Sequence, residues 1–173
     1  MSNNLNTFEE RMAGYMAYHR DPRNRFTHFF GVPMVFYSPL IALGWARTEI
    51  AGVEVTLAAI VCTLVMLWYI KLDWSLGLIM SLLSIPAYYY CDLASKLPFN
   101  ESLTIFLAIT VIGWAIQFVG HYFEGRRPAL ADNLVQSLMG PLFVVIEVIF
   151  ALGFRKDLEA NVNAKVSNYV PSK

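Results

Sequence analysis

Apolar and polar positions in this chain are segregated into blocks and do not alternate residue by residue. Apolar runs fall at about Phe29 to Ala46, Ala51 to Ile70, Trp74 to Cys91, Leu103 to Phe123 and Leu134 to Phe154, each near the roughly 20 residues that carry a helix across a bilayer core. The links between them are short and hold the charges: Arg47 and Glu49, then Lys71 and Asp73, then Asp92, Lys96 and Glu101, then Glu124 to Asp132. Such tight links imply antiparallel neighbours. Backbone polar groups find no water in lipid, and the runs are too long and too unpatterned for barrel strands, so helices are the expected solution. The pattern predicts an all-α, polytopic helical membrane protein with four to five membrane segments, preceded by an N-terminal amphipathic helix. One membrane-embedded domain is expected over residues 1–173, with a polar C-terminal tail from about Lys156 that leaves the membrane. Gly140-Pro141 interrupts the last run near its start, so that segment is expected to re-enter or lie tilted.

Composition strengthens this reading. At 57% hydrophobic and 15% charged residues, the chain is far more apolar than a soluble domain of its size needs. The 13 basic and 13 acidic side chains cancel, which removes the electrostatic footprint of nucleic-acid binding, so no nucleic acid is expected as a partner. Cys62 and Cys91 lie inside apolar runs and read as reduced packing residues. The first eleven residues lack the basic and apolar regions of a secretory signal, leaving the first apolar run to act as an uncleaved anchor. Arg11, Arg20, Arg23 and Arg25 precede the first span and Arg126 and Arg127 follow the fourth, against one basic residue in each of the Arg47 and Lys96 loops. That asymmetry places the N-terminus and the Arg126 loop in the cytoplasm. Tyr88, Tyr89, Tyr90 and the scattered tryptophans read as interface anchors.

Three histidines are the candidate chemistry. His19 and His28 precede or open the first span and His121 ends the fourth, and four crossings return the chain to its starting face. The nine-residue spacing of His19 and His28 amounts to about 900° on a straight helix and would turn the rings apart. A break is therefore expected at Asp21-Pro22-Arg23-Asn24, with Pro22 disfavouring helix before it and Asn24 capping the next one. Gln117, His121 and Glu124 share a face at i, i+4 and i+7, and Gly120 allows another backbone to approach. Imidazole suits iron or zinc, and three neutral rings leave coordination positions open. A carboxylate from Glu124 or Glu147 would complete or orient such a shell. Histidines at membrane interfaces also snorkel or cap, so spacing alone leaves a structural role open.

Two carboxylates lie within apolar runs. Glu54 is near a span end and is expected to be solvated, whereas Glu147 is deeper and needs a histidine or arginine partner. Arg126, Arg127, Asp132, Asn133 and Gln136 form a polar loop that is either a solvated cytoplasmic loop or a clamp for an anionic head group.

Tyr18-His19-x-x-Pro22-x-Asn24, His28 and Pro33, then Gly113-Trp114-x-x-Gln117-Phe118-x-Gly120-His121, Glu124-x-Arg126-Arg127-Pro128-Ala129-Leu130, Asp132-Asn133-Leu134-x-Gln136 and Pro141-x-Phe143-x-x-x-Glu147 resemble the Mpo1-like family of membrane proteins. The match runs from about Phe8 to Phe154. The resemblance implies an iron(II)-dependent dioxygenase of fatty acid α-oxidation. Such an enzyme takes a long-chain 2-hydroxy fatty acid and dioxygen and returns a fatty acid one carbon shorter. It implies His19, His28 and His121 as iron ligands and Glu124 and Asn24 as catalytic candidates. Arg126, Arg127, Gln117 and Asn133 become substrate-binding candidates, and Glu147 a residue behind the ligands. The fungal pattern carries a further histidine where this chain has Arg20, which makes Glu124 or water the expected fourth ligand. Membrane lipid is the expected surrounding, in a bacterial inner membrane, or in the endoplasmic reticulum if the source is eukaryotic. A small transporter, or a membrane assembly protein with a structural metal site, is the alternative, and oligomeric state stays open.

Overall fold

A computed structural model describes residues 7–125 and 134–170. The described residues are all-α apart from one hairpin, and 81% of them are helical. Among the described residues, three stretches are long and apolar enough to cross a membrane: Pro22–Gly44, Trp74–Ser95 and Phe99–Glu124, of 23, 22 and 26 residues. At 1.5 Å per residue each exceeds a hydrocarbon core of about 30 Å. The helices Leu57–Leu72 and Met139–Ala151 are also apolar but have only 16 and 13 residues. Three helices, not four to five, thus meet the length of a span unaided. The chain divides into two compact units, residues 33–115 and residues 1–32 with 116–173.

α2 (Pro22–Tyr37), whose residues from Pro33 on belong to the unit of residues 33–115, runs on into α3 (Pro39–Gly44), because Ser38 between them keeps right-handed helical angles. α4 (Leu57–Leu72) and α5 (Trp74–Ser95) pair through a single linking residue, Asp73, whose carboxylate caps α5 by accepting the N–H of Ser75 and Leu76. A Cβ on Gly77 would stand 2.4 Å from the Ile70 backbone, so only glycine permits this close turn. Tyr37 to Ser84, Trp45 to Ser102 and Thr110 to Ser38 are hydrogen bonds between helices, the kind that joins apolar helices where burial alone does not drive them together. Leu64 and Leu67 on α4, Leu82 and Ile85 on α5, and Val111 on α6 (Phe99–Glu124) are exposed. Large apolar side chains left exposed on three apolar helices belong against lipid.

One apolar run divides differently from the expectation. Ala51 to Thr56 is not helical: β1 (Arg47–Ile50) and β2 (Val53–Thr56) form an antiparallel hairpin, and α4 begins only at Leu57. Ala51 and Gly52 both have positive φ, at 51° and 80°, the two-residue turn that matches strand twist. Thr48, Ile50, Val53 and Val55 supply the β-branched side chains that favour strand. Glu54 is half exposed and bridges Arg47 and Lys96 at 3.1 and 3.0 Å. Its hydrogen bond from Lys96, followed by that from Arg47, holds the carboxyl below its ordinary range.

The other unit contains α1 (Phe8–Ala17), α7 (Leu134–Ser137), α8 (Met139–Ala151), α9 (Lys156–Val166) and a short 3-10 turn at Ser167–Tyr169. α1 starts in a capping box, in which Thr7 and Glu10 each satisfy the other's N–H. Its apolar face, with Phe8, Met12 and Tyr15 buried, packs on α8 and α9 of the same chain. In the polar segment from Lys156, α9 buries Leu158 and Val162 and docks on α1. The last apolar run breaks at Leu138, between α7 and α8. Pro141 sits in the first turn of α8, where its missing N–H is tolerated and its ring excludes continuous helix from α7.

Candidate metal centre

His19, His28 and His121 come together, all three buried, with one ligating atom of each within 4.8 Å of the others. Two imidazole nitrogens on one ion stand at most about 4.2 Å apart, twice a bond of about 2.1 Å, so the triad lies within roughly an ångström of closure. The expected break between the first two histidines is present, as α1 ends at Ala17 and α2 begins at Pro22. Its cap differs. Asp21, not Asn24, accepts the N–H of Arg23 at 2.9 Å, and Pro22 takes the first helical position. Pro22 prefers that position because it lacks an N–H, which shifts the cap to the residue before it and leaves Asn24 inside the first turn. Arg23 also hydrogen-bonds the Asp21 side chain and lowers that carboxyl to about 2.

Backbone geometry fixes the tautomers of two rings. The Nδ1–H of His19 donates to the Tyr15 carbonyl at 2.7 Å and that of His28 to the Asn24 carbonyl at 2.8 Å. Each Nε2 then carries the lone pair, as in metal-binding histidines held from behind by a carbonyl. Burial, followed by the neighbouring His28, keeps the His19 imidazole well below its ordinary value and hence neutral. Nε2 of His19 and Nδ1 of His121 are buried with no hydrogen-bond partner. Unpartnered lone pairs cost free energy when buried, and a cation that accepts both removes that cost. The donor set therefore fits a divalent transition metal of the iron or zinc type.

Apolar and aromatic side chains wall the site. Tyr15 stacks on His19 with centroids 4.1 Å apart, and Phe143 packs on Tyr15, His19 and His28 at 5.1, 5.6 and 6.4 Å. Phe143 belongs to the motif read from the sequence but was given no role there, and Tyr15 was not singled out, although Tyr15 lies four residues before His19 and Phe143 four before Glu147, one turn on a shared helix face. Gly120 admits α2: a Cβ there would meet Thr27 Oγ1 at 2.1 Å and Asn24 Oδ1 at 2.5 Å.

The remaining candidates divide by position. The Glu124 carboxylate accepts the N–H of Arg20 at 3.0 Å to each oxygen, that of Asp21 at 2.8 Å and Asn24 Nδ2–H at 3.1 Å. Gln117 is buried one turn before His121, and its Oε1, like Oδ1 of Asn24, has no hydrogen-bond partner. Glu147 pairs with Arg25, an arginine partner as its depth requires, while its Oε1 stays buried and unpartnered. Arg25 was missed as that partner, although it lies three residues before His28 on α2. Gln136 donates to the Arg11 carbonyl at 2.8 Å. Arg126, Arg127, Asp132 and Asn133 lie outside the described residues.

Comparison with known proteins agrees with the sequence motifs. Residues 5–152 match the family model described as 2-hydroxy-palmitic acid dioxygenase Mpo1-like. A protein of Saccharomyces cerevisiae named 2-hydroxy-palmitic acid dioxygenase MPO1 is 36% identical over 165 residues, covering 94% of this chain and 91% of its own. No solved structure matches.

Proposed function

Because the chain belongs to the Mpo1-like family, we propose that it is an iron(II)-dependent dioxygenase that shortens a long-chain 2-hydroxy fatty acid by one carbon. The observation that carries this reading is the buried triad of His19, His28 and His121, with two rings held from behind by backbone carbonyls and one ligating atom of each within 4.8 Å of the others. Iron(II), when bound by these rings, supplies the activation that triplet dioxygen needs to react with a closed-shell substrate.

The proposed reaction balances without an external reductant. One dioxygen is consumed, the C1–C2 bond of the hydroxy acid breaks, C1 leaves as carbon dioxide, C2 becomes the new carboxyl carbon, and one water is released. The chain's residues bind, orient and shield. Phe143 and Tyr15 exclude water from one side of the triad. Asn24 Oδ1 and Gln117 Oε1 are unpartnered acceptors suited to a hydroxyl donor. Arg126 and Arg127 are the cations for the substrate carboxylate, and Asn133 a further polar contact. The acyl chain lies among the apolar helices. In this reading α4 is a fourth crossing despite its length, so His28 opens and His121 closes a four-crossing bundle on the cytoplasmic face. α1 lies at the membrane surface, and α8, at 13 residues, re-enters without crossing.

Anaerobic reconstitution with iron(II), addition of 2-hydroxypalmitate and air, and mass spectrometry of the products test the proposal. A fifteen-carbon acid is expected, with palmitate itself a poor substrate because it lacks the hydroxyl. Folded, iron-loaded protein that yields no fifteen-carbon acid would overturn the assignment.

A further inference from the structure

Glu124 stands three residues beyond His121 on α6, where a carboxylate invites assignment as a ligand or as a general acid. Its hydrogen bonds point elsewhere. Three donors hold the carboxylate: the Arg20 N–H is shared between both oxygens, and the Asp21 N–H and Asn24 Nδ2 both donate to Oε2. The two backbone donors belong to the turn between α1 and α2, directly after His19 in that turn. The side-chain donor is Asn24, whose carbonyl holds Nδ1 of His28 at 2.8 Å.

We propose that Glu124 is a positioning residue that ties the His19 turn and the Asn24–His28 turn of α2 to the His121 end of α6, setting the spacing of the triad without ligating the metal or exchanging protons. His19 follows α1 on a turn, and α2 meets α6 closely where Gly120 leaves room against Thr27 and Asn24, as it does further along where Gly113 faces Met34 and Val35. Charge-assisted bonds to backbone N–H groups are short and strong, and one carboxylate reaching both histidine-bearing segments makes the three rings a single unit. This role deepens the proposed metal site and rests on it.

Cobalt(II), a spectroscopic stand-in for the metal, separates the possibilities in detergent-solubilised protein without turnover. In Glu124→Gln one oxygen is replaced by an amide that opposes backbone N–H groups. Its cobalt affinity should fall 10- to 100-fold, the usual cost of losing a group that orients ligands. Its visible spectrum at saturating cobalt should equal that of the wild type, because the ligand set is unchanged. An altered spectrum at saturation would make Glu124 a ligand and overturn the proposal, and so would an unchanged affinity. Wild-type protein that binds no cobalt would sink the metal site itself, a different result from wild-type and variant binding alike. Should Glu124→Gln fail to fold, hydrogen exchange on metal-free wild-type protein decides. The Arg20 and Asp21 amides should be protected before any metal is added, and free exchange at both would overturn the clamp.

Discussion

Adding one methyl group at Gly120 probes the approach of α2 to α6 most sharply. The new Cβ would lie 2.1 Å from Thr27 Oγ1 and 2.5 Å from Asn24 Oδ1, against the 3.4 Å at which ordinary contact begins. Thr27 cannot simply swing away, since its hydroxyl donates to the Asn24 carbonyl at 2.7 Å and its own Cβ is only 3.3 Å from the added atom. Asn24 is fully buried and tied to Glu124. The first turns of α2 must therefore move off α6 by about an ångström, and overpacking of this kind costs about 1–3 kcal/mol. The Asn24 carbonyl carries Nδ1 of His28 with it, so the same displacement opens His28 from His121. Gly120→Ala should lower unfolding stability in mixed micelles by that amount and weaken cobalt(II) binding at least several-fold. Val119→Ala, on an exposed neighbour, should change stability by no more than about 0.5 kcal/mol. Combining Gly120→Ala with Thr27→Ala removes the nearer clash and should recover part of the loss, a coupling visible in a double-mutant cycle. A Gly120→Ala protein with wild-type stability and wild-type cobalt affinity would refute the close approach.

Other outcomes follow from individual contacts. Arg25→Ala leaves the Glu147 carboxylate buried without its cation, so equilibrium unfolding should show a loss of about 3–5 kcal/mol, largely recovered in Arg25→Ala with Glu147→Leu. Gly52→Val places a β-branched residue at φ +80° with nothing within 4 Å of the new Cβ, so its cost should be purely conformational, about 1–2 kcal/mol. Cobalt(II) at about 100 times its dissociation constant should stabilise the protein by about 2.7 kcal/mol, reversed by chelator.

Much of the site was legible in the sequence, for physical reasons that can be traced. Nine residues separate His19 from His28, and a straight helix would turn those rings apart, which made the Pro22 break a requirement. The depth of Glu147 in an apolar run demanded a partner, and Arg25 is that partner. Asn24 as the cap was a misassignment, since Asp, Asn and Pro lay within four residues and only the fixed first position of Pro22 selects Asp21. The hairpin was hidden because Ala51 to Thr56 is apolar enough to merge with α4, and hydropathy averages over the alternation of β-branched residues that marks a strand. Docking of α9 on α1 depends on two buried side chains, Leu158 and Val162, too few to stand out in a polar segment. The aromatic wall of Tyr15 and Phe143 depends on tertiary contacts that no spacing within either helix specifies.

The metal content of purified protein, prepared anaerobically with iron(II), tests the central claim most directly. Wild-type protein should hold about one iron per chain, and His19→Ala, His28→Ala and His121→Ala should each lose most of it while remaining folded in membranes. Full iron occupancy in folded His121→Ala protein would contradict the three-histidine centre on which the proposed chemistry depends.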